Sequence, residues 1–126
     1  MTSRINWVPD RRDVIWIDCN PQVGKEMKDI HPFLVFSPKA FNERTNLVIG
    51  LPIASGLPTT TASSNETNPF AVKFVGPKGL VSYVLAHQPK SYDWKLRAGK
   101  LHPMRQVPSE IFELACETLN QIIAIA

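Results

Sequence analysis

Eleven prolines in 126 residues constrain this chain more than any other feature of its sequence. Proline removes a backbone donor and breaks a helix interior, so the chain is expected to consist of short segments. Only the last stretch is free enough of proline for a long helix. The length suits one domain with a real core and is too short for two ordinary ones. We therefore expect a single domain over residues 1–126.

Short runs of β-branched and aromatic residues alternate with turn signals along most of the chain. These runs predict strands because such side chains fit a pleated, half-buried surface. Residues 76–79 (GPKG) are a turn that joins the last two of the runs as a hairpin. A further strand is predicted near Leu96 to Leu101. The five apolar runs are "DVIWID", "FLVFS", "NLVIGLPI", "FAVKFV" and "LVSYVLAH".

The hydrophobic period changes at Pro108 from that of strands to that of an amphipathic helix. Several short strands followed by one helix predict a mainly β fold: a small, strongly curved antiparallel sheet or barrel, capped by a helix over residues 108–126. Residues 1–12 are expected to form a polar N-terminal arm. The positions predicted to face inward from the helix are Ile111, Leu114, Ala115, Leu119 and Ile122.

Composition excludes several classes of protein. The N-terminus lacks the apolar core of a signal peptide, and acidic and amide residues interrupt the apolar C-terminus, so we expect a soluble, cytoplasmic protein without a membrane span. Cys19 and Cys116 are predicted to be free, buried thiols. There is no Cys-x-x-Cys, His-x-x-x-His or Gly-rich phosphate loop, which leaves structural zinc and nucleotide triphosphates without support. A net charge of +3 weakly favours an anionic partner.

Two kinds of residue are candidates for chemistry or binding. His31 follows a charged loop, "GKEMKD", and His87 ends a predicted strand. Each histidine taken alone is more readily structural or merely exposed, but two at strand ends become an acid–base candidate if the sheet brings those ends together. The basic tract "KSYDWKLRAGKLHPMR" interleaves Tyr92 and Trp94 with cations. That composition is typical of a groove for single-stranded nucleic acid and equally of a solvated edge strand.

The order of the motifs resembles the PemK/MazF toxin ribonucleases. The segments that carry the resemblance are "DVIWIDCNPQVGKE", "HPFLVFSPKAFN", "LPIASG", "HQPKSYDWKLRAGK" and "VPSEIFE" before the terminal helix. The resemblance implies an SH3-like small β-barrel with a C-terminal helix, assembled as a two-fold homodimer. It also implies sequence-selective cleavage of single-stranded RNA, mostly mRNA, without metal or other cofactor. A cognate antitoxin would cover the RNA groove, and operator DNA would be bound only through the toxin–antitoxin complex.

The residues that the family uses for catalysis match less well than its fold. His31 stands where the family usually has arginine, and Ala54 stands where it has a hydroxyl, with Ser55 as the neighbouring hydroxyl. Leu85 and His87 replace an arginine and an aspartate of the PemK branch. Glu26 matches the acidic residue of the first loop. Gln88 and the basic tract also fit.

These departures have two interpretations. The first is a degenerate, catalytically weak toxin that still folds as an SH3-like binding module, still binds its antitoxin and acts within a toxin–antitoxin repressor complex. The second, which we favour, is a rewired site with His31 and His87 as the acid–base pair, Glu26 orienting His31 and Ser55 bonding the phosphate. Cleavage would give a 2′,3′-cyclic phosphate and a 5′-hydroxyl. The residues expected to hold RNA are Lys28, Gln88, Lys90, Lys95, Arg97 and Lys100.

Overall fold

A computed structural model of the chain describes residues 7–20, 29–55 and 65–124. A 3₁₀ turn at Pro77–Gly79 connects two of the strands. The elements follow one another in the order β1 (Asp13–Asp18), β2 (Ile30–Val35), α1 (Lys39–Thr45), β3 (Leu47–Ser55), β4 (Ala71–Val75), β5 (Val81–Leu85), β6 (Lys90–Asp93), β7 (Lys100–Gln106) and α2 (Ser109–Ile122).

The strands form one curled antiparallel sheet in the order β4-β5-β3-β2-β1-β7, with β6 also paired to β3. All the strand pairs are antiparallel, and three of them, β1–β2, β2–β3 and β4–β5, join strands that follow each other in sequence. The helix α2 closes the chain and packs on one side of this half-barrel. The predicted mainly β fold with a C-terminal helix is therefore confirmed.

Strand β3 is the centre of the sheet because it has partners along both edges. Residues 50–52 pair with β2 on one edge, while residues 47–50 pair with β6 and 53–55 with β5 on the other. Between the pairs Ile53–Val84 and Gly50–Lys90, residues 85–89 lie opposite only residues 51–52. Pro52 has no N–H to give to a ladder, which suits this interruption. We call residues 86–89 the β5–β6 bulge.

Side chains alternate between two faces of the sheet. The face that packs against α2 is called the helix face. Its buried residues, which come from the sheet and from the position after β7, are Val14, Leu34, Leu51, Ile53, Val72, Phe74, Val84, Ala86 and Val107. The opposite face carries one cluster of Ile15, Ile17, Cys19, Phe33, Val35, Val48 and Trp94. A second, smaller cluster on that face consists of Ala54, Tyr83 and Leu85.

Helix α2 covers the sheet with a narrower stripe than its sequence predicted. Ala115 is fully buried and Ile111 and Leu119 pack beside it, as expected. Leu114 and Ile122 were predicted to face inward, and this is wrong: they are 47% and 41% exposed. Phe112 packs in the stripe instead, against Phe36, with ring centroids 4.9 Å apart. A single helix on a curved sheet has room for only one stripe of contacts, so part of its apolar surface stays exposed.

The predicted strand near Leu96 to Leu101 is wrong for most of its length. Residues 94–99 form a tight turn in which the Asp93 carboxylate accepts the N–H groups of Lys95 and Leu96, at 3.1 and 2.9 Å. Leu96 is 85% exposed at the tip. Strands β6 and β7 flank this turn. The apolar residues that suggested one strand therefore belong to a connection between two.

Helix α1 was missed because seven residues give no readable period. Its buried residue is polar: Asn42 is fully buried, and its amide nitrogen donates to the carbonyls of Pro9 and Ser37, at 2.8 and 3.0 Å. The Ser37 hydroxyl donates to the Asn42 side-chain oxygen. The helix is held by these hydrogen bonds rather than by an apolar stripe.

Two further expectations concern cysteine and membrane segments. Both cysteines are free thiols; Cys19 is buried as predicted, whereas Cys116 is only half-buried. No helix in the described ranges has the length and apolarity needed to cross a membrane.

Candidate active site

His31 lies on the opposite face near the start of β2. It pairs with Ile17 of β1 and shares its face with Phe33. The β2–β3 ladder ends at the pair Phe33–Pro52. His31 and Ala54 each lie two residues beyond this pair, at the same end of the two strands. Alternation along both strands turns these two residues to the same side. His31 is half-buried, so its ring remains within reach of solvent at a strand end.

His87 lies in the β5–β6 bulge, where no ladder partner restrains it. The ring is exposed, and partial burial lowers its pKa below the usual 6.5. The Asn68 amide nitrogen is 3.4 Å from each of its ring nitrogens. Since β3 lies between β2 and β5 and neighbouring strands are about 4.8 Å apart, the backbones of His31 and His87 are separated by about 10 Å or more. Strand β3 therefore separates the two side chains.

A hydrogen-bonded triad that sequence reasoning missed lies beside this region. Tyr83 pairs with Ala54 on one side and with Lys73 on the other, so all three share the opposite face. The Glu66 carboxylate accepts from Lys73 Nζ at 2.9 and 3.0 Å and from the Tyr83 hydroxyl at 3.1 Å. The Lys73 and Tyr83 bonds lower the pKa of Glu66, and burial followed by the Glu66 bond raises the pKa of Tyr83.

Two further site candidates have distinct surroundings. Ser55 ends β3 and pairs with the buried Ser82, and alternation turns it toward the helix face, away from His31. Gln88 follows His87, and its amide nitrogen lies 3.4 Å from His87 Nε2. The buried Gln88 side-chain oxygen has no hydrogen-bond partner within the described part of the chain.

The basic tract does not present its aromatic residues as a stacking surface. Trp94 is buried in the core, where its indole N–H donates to the Asn42 carbonyl at 3.0 Å and its ring meets Trp7 edge-on. Tyr92 packs against Phe33, with ring centroids 5.3 Å apart. The prediction that Trp94 offers a face for base stacking is therefore wrong. Lys95 lies over the Trp94 ring at 5.5 Å from its centroid.

The cations of the tract divide into structural and exposed groups. The Arg97 guanidinium donates to the carbonyls of Asp18 and Asn20 at 2.9 and 2.7 Å, and lies over the Tyr92 ring. Lys100 is exposed and pairs with Trp16 on β1. Lys90 is half-buried beside Gly50. A pocket of about 420 Å³ at this end of the sheet is lined by Trp16, Asp18, Ile30, Arg97, Ala98 and Lys100.

The comparisons with known proteins agree with this fold. The family model of the PemK-like, MazF-like toxin of type II toxin–antitoxin systems matches residues 10–123. The chain belongs to this family.

Two curated relatives of this PemK/MazF-like chain are close in sequence. The endoribonuclease toxin MazF of Escherichia coli K12 is 35% identical over 97 residues, which cover 77% of this chain and 78% of that protein. The endoribonuclease PemK of Escherichia coli is 31% identical over 115 residues, 89% of this chain and 80% of that protein.

Solved structures of the family superpose over nearly the whole chain. MazF from Deinococcus radiodurans has a TM-score of 0.79 at 27% identity, covering 95% of this chain and all of that one. A MazE–MazF structure from the same organism has a TM-score of 0.73 at 23% identity, covering 96% of this chain and all of that one; this second likeness concerns the fold alone.

Two expected site residues of this PemK/MazF-like chain, Glu26 and Lys28, lie outside the described residues. Within the described ranges, no group of three or more His, Cys, Asp or Glu side chains is arranged to hold a metal ion. The polar side chains that remain near His31 and His87 are hydrogen-bonding groups: Asn68, Gln88, and the triad of Glu66, Lys73 and Tyr83.

Proposed function

We propose that this chain is a toxin endoribonuclease that cleaves single-stranded RNA and is neutralised by a cognate antitoxin. The support is its family, together with two relatives named as endoribonucleases at 35% and 31% identity. The observation that carries the proposal is the position of the two histidines. His31 lies near the start of β2 and His87 just after the end of β5, on either side of β3, and Ala54 of β3 pairs with Tyr83 of β5 on the same face.

Metal-free cleavage of RNA needs three things from the protein. A base takes the 2′-OH proton, an acid protonates the leaving 5′-oxygen, and fixed donors stabilise the charge that builds up at phosphorus. Two histidines of opposite protonation can divide the first two tasks, giving a 2′,3′-cyclic phosphate and a 5′-hydroxyl. In this proposal Glu26 orients His31. Ser55 faces away from His31, so its predicted bond to the reacting phosphate has no support from the strand register.

The exposed cations of the basic tract would hold the RNA backbone. Lys95 and Lys100 are exposed, and Lys90 and Gln88 lie between them and His87 along the chain. Lys28, which lies outside the described residues, belongs to the same proposed set. Arg97 contributes indirectly, because it fixes the end of β1 that supports the pocket beside Lys100.

The proposed assembly is a cytoplasmic homodimer that binds the antitoxin, and operator DNA only within that complex. Neighbouring structures of MazF were solved together with MazE, which suggests the class of partner. Leu114, Ile122 and Ile123 on or just after α2 are exposed apolar residues. Such a surface is typical of a protein–protein contact, either with a second copy or with an antitoxin.

Single-turnover cleavage of a mixed-sequence, single-stranded RNA in EDTA tests the proposal. We expect His31→Ala and His87→Ala each to lower the rate by about 10²- to 10⁴-fold, the usual contribution of a general acid or base. RNA affinity should change little. His102→Gln is the matched control, because His102 stacks on Trp16 at 4.4 Å and lies on neither candidate strand end. If both alanine variants cut RNA as fast as wild type, the two-histidine mechanism is wrong.

One observation favours the second candidate, a binding module without catalysis. The strand residues nearest the two histidines form a buried cluster of Ala54, Tyr83 and Leu85, and Ala54 offers no hydroxyl where the family has one. Induction of the chain alone in bacteria separates the candidates. An active toxin arrests growth and its His31→Ala variant does not, whereas a binding module leaves growth unchanged in both cases.

A further inference from the structure

The Asn68 side chain faces His87 in an orientation that its other contacts determine. Its amide nitrogen lies 3.4 Å from both Nδ1 and Nε2, an equidistant position that falls over the face of the ring rather than in its plane. Its oxygen accepts the N–H of Phe70 at 2.9 Å. Because a backbone N–H only donates, the oxygen must point to Phe70, and the NH₂ group must point to the histidine.

The backbone around Asn68 is tied to the sheet. Asn68 N–H donates to the Asn65 carbonyl, and the Ala71 N–H donates to the Asn68 carbonyl, at 3.2 and 3.1 Å. The Phe70 carbonyl accepts the N–H of Ala86, next to His87, at 3.0 Å. Glu66, one turn earlier, is bound by Lys73 and Tyr83. The amide is therefore held in place before any RNA arrives.

An NH₂ group at this position disfavours the charged imidazole. An imidazolium carries a full positive charge, and both the Asn68 NH₂ over the ring and the Gln88 NH₂, 3.4 Å from Nε2, turn the positive ends of their amide dipoles toward it. The charged side chains on the surrounding elements are Glu66 in the 65–67 turn, Lys73 on β4 and Lys90 on β6. Glu66 is already engaged by Lys73 and Tyr83.

We propose that Asn68 is a positioning residue that presents His87 as a neutral ring, which makes His87 the base and His31 the acid of the proposed cleavage. In that step His87 takes the 2′-OH proton and the 2′-oxygen bonds to phosphorus. The bond from phosphorus to the 5′-oxygen then breaks, and His31 gives its proton to that oxygen. This inference rests on the proposed function, because it assigns roles within the same site.

Three variants test the assignment, each with two readouts: the NMR titration of the His87 ring and the pH dependence of kcat. Asn68→Asp places a carboxylate beside the ring and should raise the His87 titration midpoint by about one unit or more. The acidic limb of kcat should move up equally, with about a tenfold loss of kcat below the midpoint and little change in KM. Asn68→Ser keeps an acceptor for Phe70 but removes the NH₂ group, and should raise the midpoint less.

Asn120→Asp on the exposed side of α2 is the matched control, since it makes the same change of charge away from His87. It should shift neither readout. If the His87 midpoint moves in Asn68→Asp but the acidic limb does not, His87 is not the base. If the alkaline limb moves instead, the two roles are reversed and the assignment fails. If the midpoint does not move, Asn68 does not act on His87.

The NMR titration needs no cleavage, so it separates this inference from the proposed function. Retained cleavage in His31→Ala and His87→Ala would refute the two-histidine site even with a normal His87 titration. Conversely, loss of cleavage in those variants with an unshifted Asn68→Asp profile would leave the site intact and refute the role of Asn68. A urea midpoint for each variant shows that the fold is retained.

Discussion

Replacing Arg97 by lysine distinguishes a structural role of the guanidinium from a role of its positive charge in binding RNA. The guanidinium donates to the carbonyls of Asp18 and Asn20 at 2.9 and 2.7 Å and lies 4.8 Å from the Tyr92 ring centroid. Lysine keeps the positive charge but cannot reproduce this planar fork. Each lost hydrogen bond from a half-exposed charged group costs about 1 kcal/mol, and loss of the stacked cation costs about 0.5 kcal/mol. We therefore expect a loss of about 2.5 kcal/mol in unfolding free energy.

Urea unfolding followed by circular dichroism measures this loss, and a thermal scan should show a Tm lower by about 8 °C for a chain of this size. Lys100→Gln is the matched control: its exposed ammonium should matter little for stability, but its loss should reduce the salt dependence of RNA binding. If Arg97→Lys unfolds like wild type and binds RNA more weakly, Arg97 contacts RNA directly and its structural role is wrong.

Two further predictions concern stability. Asn42→Ala leaves the Pro9 carbonyl without its buried donor and removes the other bonds of the fully buried amide, so we expect a loss of about 3 kcal/mol in urea unfolding; a loss under 1 kcal/mol would contradict this role of α1. Burial holds the pKa of both His87 and His102 below 6.5, so the unfolded chain takes up protons first as the pH falls. Their contribution to stability is complete above pH 6.5 and declines below it, and His102→Phe should show a smaller decline between pH 7 and 5.5 than wild type.

The sequence predicts an element well where a single physical signal dominates it. The run "DVIWID" is β-rich and bounded by charged or turn residues, and strand β1 covers the same six residues. Proline places the start of α2 to within one residue, since Pro108 caps a helix that begins at Ser109. The β4–β5 hairpin follows from alternation on both sides of a Gly-Pro turn.

Elements held by tertiary contacts give no comparable signal. Helix α1 depends on the hydrogen bond that the Asn42 amide donates to Pro9 and on the one that its carbonyl accepts from Trp94, 52 residues later. The turn at residues 94–99 depends on Asp93, whose carboxylate caps two N–H groups. In both cases the hydrogen bonds of one polar residue determine the local backbone conformation. A single polar residue produces no periodic pattern of hydrophobicity, so the sequence does not reveal it.

The candidate site shows the same division. The histidines could be singled out as candidates from the sequence, because few other side chains transfer protons near neutral pH. Asn68 and Glu66 were not, because both come from the end of a segment rich in Ser, Thr and Asn, where one amide looks like any other. The role of Arg97 was also hidden, since its partners are main-chain carbonyls more than 70 residues away.

The β5–β6 bulge has a consequence for how this site can change. The ladders on its two sides keep their registers through the pairs Ile53–Val84 and Gly50–Lys90, whatever lies between them. His87 is exposed and takes no part in strand pairing, so its side chain can be exchanged without rearranging the sheet. Aspartate, histidine or another residue at position 87 would leave the sheet unchanged. The fold thus tolerates substitution at position 87, because the backbone there lies outside both strand ladders.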